Sequence, residues 1–230
     1  MSTRRFWVYI EQQEGKVHPV SWELLGVARN LASQVEEEAA ASGDEILVEG
    51  VLLGYNVQTI AEDAIKYGAD RVYVVDDEVL EHYRNCPYYE SIVTLAEKHG
   101  PEVFLIGATT LGRDLAGAVA TSLHTGLTAD CTKLEMGEVR GADKKLLLAT
   151  RPAFGGNIMA TIVCRKHEPQ MSSVRPRVFP IPDYDPDTEG EIVHEPMDLT
   201  EEGALTCILE FIREKGETLD IEYSDVIVSG

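Results

Sequence analysis

An arginine opens the turn Arg151-Pro152-Ala153-Phe154-Gly155-Gly156-Asn157. A guanidinium is permanently charged and presents a planar fork of donors, which suits the oxygen and nitrogen rim of a flat ligand, above all one carrying negative charge. Pro152 stiffens its neighbour, and the pair Gly155-Gly156 lets main chain pass close to a planar surface. One opposite charge in a partly buried site is worth ~1–4 kcal/mol. The plainer reading of an arginine beside a turn is a surface ion pair, and both readings stand at this point. Arg165, next to Cys164, poses the same alternative: a second cation for the ligand, or an interface salt bridge.

Other residues promise less. Gly107 and Gly112 have the spacing of a phosphate loop, but Arg113 follows where such loops carry Lys. Close helix–strand packing accounts for these glycines equally well. Thr109, Thr110 and Arg113 are candidates at that turn. Asp76-Asp77-Glu78 pairs carboxylates with no partner at metal-ligand spacing, as a solvated strand end would. His82, His99 and His124 are scattered, and so are Cys86, Cys131, Cys164 and Cys207. No CxxC or Cys/His spacing suggests zinc or an iron–sulfur cluster, and no Ser-His-Asp or Cys-His arrangement suggests covalent catalysis.

These side chains need elements to position them. Phe6–Ile10 is an apolar run, and Ser21 offers an N-cap to a helix with Leu24, Leu25, Ala28, Leu31, Ala32 and Val35 at helical spacing. Glu45–Leu53 reads as a strand ending at Gly54. Ile60, Ala61, Ala64 and Tyr67 form a helix face closed by Gly68. Arg71–Val75 is a strand, Ser91–Lys98 a helix ended by Gly100-Pro101, Val103–Ile106 a strand and Arg113–Leu123 a helix. Strand–helix units in this order predict an α/β fold with a parallel sheet, whose ligands lie at the carboxyl ends of its strands, near Gly54, Asp76 and Gly107 to Arg113.

Beyond Gly126, Lys144–Arg151 and Asn157–Cys164 read as a hairpin through the glycine pair. Ser172–Pro182 is extended, Asp183–Glu191 a loop or boundary, Glu201–Glu214 a helix and Leu219–Tyr223 a strand. Val226–Val228 with Ser229-Gly230 resembles the opening of a βαβ nucleotide unit, or else a frayed end.

The 230 residues carry 40 acidic and 20 basic side chains, a net charge of −20. That balance repels phosphate backbones and anionic lipids, so nucleic-acid and membrane-surface binding are not expected. No apolar stretch approaches the ~18 residues of a membrane span and no secretory signal opens the chain, so the expected compartment is the cytoplasm.

The segment Thr150 to Thr161, with Arg151-Pro152 and Phe154-Gly155-Gly156-Asn157 inside it, resembles the hairpin of electron transfer flavoprotein α subunits. Gln170-Met171-Ser172-Ser173-Val174-Arg175-Pro176 resembles the strand that follows it in the family. Gly107 to Leu115 is similar to the family's mid-domain turn and helix, with Thr128-Ala129-Asp130-Cys131 in place beyond. The Phe-Gly-Gly form resembles the electron-bifurcating, nitrogen-fixation-associated branch.

The resemblance implies a Rossmann-like, adenine nucleotide alpha hydrolase-like domain with an added β-hairpin over residues 1–185. Residues 186–230 are then a linker and the start of a second, FAD-binding domain, cut where its glycine turn would begin. It implies a heterodimer with an electron transfer flavoprotein β subunit that carries AMP or a second FAD and accepts electrons from NADH. It also implies acyl-CoA dehydrogenase or quinone oxidoreductase partners, and ferredoxin or flavodoxin as acceptors. Arg151, Pro152, Phe154, Gly155, Gly156 and Asn157 would face the β-subunit flavin, with Arg165 and Thr109 as further contacts. The rival is a stand-alone adenine-nucleotide-binding protein of the universal-stress type. An ATP pyrophosphatase is disfavoured, because no Ser-Gly-Gly-x-Asp-Ser loop is present.

Overall fold

The computed structural model describes residues 2–153, 158–201, 204, 206–210 and 226–229. β1 (Thr3–Ile10) shows why the fold has three layers. Phe6, Val8 and Ile10 enter one apolar core and Trp7 and Tyr9 another, all essentially buried. A strand apolar on both faces needs cover on both.

A short ribbon of β2 (Gln12–Gln13) and β3 (Lys16–Val17) leads into α1 (Val20–Ser33), α2 (Glu36–Ser42), β4 (Glu45–Gly54), α3 (Gln58–Lys66) and β5 (Arg71–Asp76). A 3₁₀ turn (Glu78–Leu80) precedes α4 (Asn85–His99), β6 (Val103–Gly107), α5 (Thr110–Ser122) and β7 (Leu127–Cys131). The chain then leaves the sheet for β8 (Lys133–Gly137), β9 (Leu146–Pro152) and β10 (Met159–Ile162), and returns as β11 (Gln170–Val174) before β12 (Glu191–His194).

Among the described residues the strands lie in the order β12-β5-β4-β1-β6-β11-β7, every neighbouring pair parallel. α1 and α3 cover the Phe6 face, and α4 and α5 the Trp7 face. β10-β9-β8 form a separate antiparallel sheet, whose Leu134, Met136, Leu147 and Ala149 close the α1 side of the core. The expected α/β architecture with an added hairpin is present.

Differences from the expected elements have local causes. Ser21 does not cap α1: its hydroxyl accepts the Glu11 N–H at 2.9 Å, and the Val20 N–H turns to His18 Nδ1 at 3.2 Å. α4 starts at Asn85, six residues before the expected helix at Ser91, and ends as expected at Gly100, whose φ is +62°. β11 is fully buried although Ser172 and Ser173 are polar, because small side chains fit between β6 and β7. β12 lies beyond the expected boundary at residue 185, yet it extends the first sheet by pairing with β5. Residues 206–210, inside the expected helix over 201–214, form no helix, and Val226, Ile227 and Val228 are exposed without strand structure. The expected strand over residues 219–223 lies outside the described residues.

Charged groups brace the sheet from within. Glu49 of β4 is fully buried and accepts from Arg5 Nη1 at 2.6 Å, Trp7 Nε1 at 2.7 Å, Arg71 Nη1 at 3.0 Å and the Tyr73 hydroxyl at 3.2 Å. At the amino end of β1, Arg4 grips buried Glu102 with two donors, at 2.9 and 2.7 Å. No helix among the described residues is long and apolar enough to cross a membrane.

Candidate functional site

The chain builds outward from β1 through β4 to β5, then crosses back to β6. The strand order therefore reverses between β1 and β6, where open α/β sheets place ligands. A crevice of ≈ 670 Å³ lies there, lined among others by Glu11, Glu23, Thr109, Arg113 and Arg177. Thr109 caps α5: its hydroxyl accepts the Gly112 N–H at 2.9 Å and donates to Glu11 Oε2 at 2.6 Å. Both functions of that hydroxyl are thus taken up inside the chain.

Burial pushes the Glu11 carboxyl above its ordinary value of 4.5, and the Thr109 hydrogen bond partly offsets this. A raised carboxyl contributes stability that is present below its unfolded value and is lost as pH rises through the folded one. Glu11→Gln is therefore expected to melt higher than the native chain at pH 7, by ~2–4 °C if the relieved desolvation is ~1 kcal/mol. The two curves should converge near pH 4, which thermal melts across that range would test.

A second arrangement lies at the β7–β11 end of the same edge. The register slips between Ser172 and Val174, so that Ala129 and Asp130 on β7 oppose Ser173 alone. At this bulge Asp130 adopts φ +61° and its N–H donates to Ser173 Oγ at 3.0 Å. Bulges re-aim side chains. The Asp130 carboxylate accepts two bonds from Arg175, at 3.1 and 2.6 Å, and Arg113 approaches to 3.6 Å. The Arg175 hydrogen bonds, with weaker attraction from Arg113 and Arg151, hold Asp130 below the usual carboxylate range.

Arg151 sits on β9 beside this cluster, because the Thr132 N–H next to Asp130 and Cys131 donates to the Thr150 carbonyl at 2.9 Å. Its guanidinium makes no hydrogen bond or ion pair with any described residue. Opposite Arg151 runs β10, an edge strand that pairs Ala160 with Arg151 and Met159 with Pro152. Met159 and Ile162 are exposed along it, at 54% and 44%, and Ile158 just before it, at 62%. The Ala153 N–H donates to the Ile158 carbonyl at 2.7 Å and closes the hairpin. Phe154, Gly155, Gly156 and Asn157, at its tip, lie outside the described residues.

Arg165 is not gathered with Arg151. The antiparallel register carries the chain from Ala160 toward the other end of the ribbon, and Arg165 lies beyond the end of β10. There it is exposed, and Nη1 donates to the Arg140 carbonyl at 3.5 Å. Nothing in the spacing of Asp130 and Arg175 marks them as a pair. Their pairing joins positions 45 apart, and only the insertion of β11 beside β7 brings them together.

Doubly wound about a parallel sheet, with an antiparallel ribbon bearing a cation at its carboxyl edge, this is a Rossmann-like α/β domain with an added hairpin sheet. Residues 6–199 match the family described as electron transfer flavoprotein domain. The chain belongs to the electron transfer flavoprotein family. It is 44% identical over 231 residues to protein FixB of Azorhizobium caulinodans, covering 99% of this chain and 59% of that protein. It is 45% identical over 224 residues to the electron transfer flavoprotein subunit alpha of Megasphaera elsdenii, covering 97% of this chain and 62% of that protein. A third relative, protein FixB of Bradyrhizobium diazoefficiens, is 44% identical over 230 residues, with 100% of this chain and 59% of the relative covered. The chain thus spans about three fifths of the length of these relatives.

Proposed function

We propose that this chain is the amino-terminal part of an electron transfer flavoprotein α subunit, which docks a flavin-bearing β subunit through its β8–β10 sheet. The observation that carries the reading is Arg151, a permanent cation without a hydrogen-bond partner among the described residues, beside a ribbon that exposes Ile158, Met159 and Ile162. Exposed apolar strand edges call for cover, and a lone guanidinium suits an electron-rich planar rim. FAD, when bound by the partner, supplies the electron-accepting chemistry. Arg151 would favour the negatively charged reduced ring, and Pro152 with the glycine turn would hold the ribbon against it. Relatives bearing the α-subunit and FixB names support the same reading.

Within it, NADH or an acyl-CoA dehydrogenase supplies electrons, which pass to a quinone oxidoreductase, ferredoxin or flavodoxin, with bifurcation at the β-subunit flavin. Residues 186–230 lead toward a second, FAD-holding domain, while β12 stays with the first sheet. The stand-alone nucleotide-binding alternative is not favoured: the crevice at β1 and β6 sets Glu11 and Glu23 against Arg113 and Arg177 and so offers no excess of positive charge for a phosphate.

Co-expression of this chain with a family β subunit tests the proposal. The expected product is a yellow complex in which both polypeptides co-elute with flavin absorbance. Met159→Asp on β10 should split that complex while leaving each chain folded. A colourless monomer from the native pair would overturn the reading.

A further inference from the structure

Asp130 is held in a left-handed backbone conformation, a state that non-glycine residues adopt uncommonly and that clusters at functional sites. Its carboxylate faces Arg175, bound by two hydrogen bonds, and Arg113 at 3.6 Å, with Arg151 on the neighbouring strand β9. Among the described residues of this cluster, Arg175, Arg113 and Arg151 face the single carboxylate of Asp130, a local balance of +2 on a chain whose total charge is −20. A cationic corner against so acidic a background has the charge to receive an anionic group. Asp130 is the group that limits it.

We propose that Asp130 is a positioning residue for that corner: it fixes Arg175 and Arg113, leaves Arg151 free to face the partner's flavin, and sets how strongly the corner favours the reduced ring. This rests on the reading of Arg151 given above. Removing the carboxylate charge raises the corner from +2 to +3. A flavin held by the partner then becomes easier to reduce, which is the opposite of what losing Arg151 does. A residue that merely supported the fold would give no such pair of opposite signs.

The experiment is a redox titration of the co-purified complex, read as flavin absorbance against potential, for the native chain, Asp130→Asn and Arg151→Gln. Asparagine tolerates positive φ and keeps an acceptor for Arg175, so assembly should survive. Asp130→Asn is expected to raise the reduced-to-oxidised ratio at fixed potential by up to tenfold, ~30 mV for a two-electron couple. Arg151→Gln should lower it by a similar factor. A flat or downward result for Asp130→Asn, with Arg151→Gln shifted, overturns this inference alone. If Arg151→Gln is itself flat, the underlying reading falls too. Should Asp130→Asn fail to assemble, Arg175→Gln, which removes a cation, must lower the ratio; an unshifted complex again overturns the inference.

Discussion

Glu49→Ala is expected to lower the melting temperature of this chain by roughly 6–20 °C. The carboxylate is fully buried and answers four donors at once: Arg5, Trp7, Arg71 and Tyr73. Truncating it leaves the buried indole N–H of Trp7 without an acceptor and two guanidiniums, partly exposed at 19% and 25%, facing an apolar hole. Breaking a buried charge cluster by removing one partner costs ~3–5 kcal/mol, and each kcal/mol is worth ~2–4 °C in a chain of this size. Circular dichroism melts of the two proteins would decide it. A change of under about 2 °C would mean that Arg5 and Arg71 swing out to water and that the network contributes little.

Two glycines of α5 should respond to alanine with opposite signs. A Cβ at Gly112 would lie 2.0 Å from the Gly107 carbonyl oxygen and 3.1 Å from its carbon, both main-chain atoms of β6 that no rotamer change can move. Gly112→Ala therefore has to push α5 off the sheet or break its capped first turn, and we expect a loss above ~3 kcal/mol or insoluble protein. At Gly117 a Cβ meets nothing within 4 Å. There alanine raises helix propensity and narrows the unfolded ensemble, for a gain of ~0.5–1 kcal/mol. Chemical denaturation of both variants gives the comparison, and a neutral Gly112→Ala would refute the close approach.

The same pair of glycines shows what could be read from the residues beforehand. Gly107 and Gly112 raised two readings, a phosphate cradle or close packing, and the Gly107 carbonyl standing where a side chain at Gly112 would have to go is what the packing reading expects. The parallel layers were legible because β1, β4, β5 and β6 are continuous apolar runs separated by helices with one apolar stripe. The hairpin was legible because its two β-type runs flank a glycine pair. β11 was only half legible, since Ser172 and Ser173 look like surface residues until β6 and β7 close on them. α2 was missed because Glu36–Ser42 buries a single residue, Ala39, and so has no apolar stripe to detect.

For the candidate site, Arg151 announced itself through its neighbours in the chain. Glu11 did not, because its significance comes from the desolvated contact with Thr109, 98 residues away. Arg165 shared residue type and hairpin with Arg151, and the antiparallel register sends it to the other end. Composition and spacing report what a residue carries, while strand order decides which residues meet.

The position of β11 between β6 and β7 bears on how this polypeptide is made. When β7 leaves the ribosome its one sheet neighbour among the described residues has not been synthesised, and it must wait, with the whole antiparallel excursion, for residues 170–174 to arrive and wedge in. Until then β6 and β7 each lack β11, the strand they both pair with in the finished sheet. Such long-range closure is slow and exposes strands to wrong pairing. A nascent chain stalled before residue 170 should therefore engage holdase chaperones, and one released past it should not.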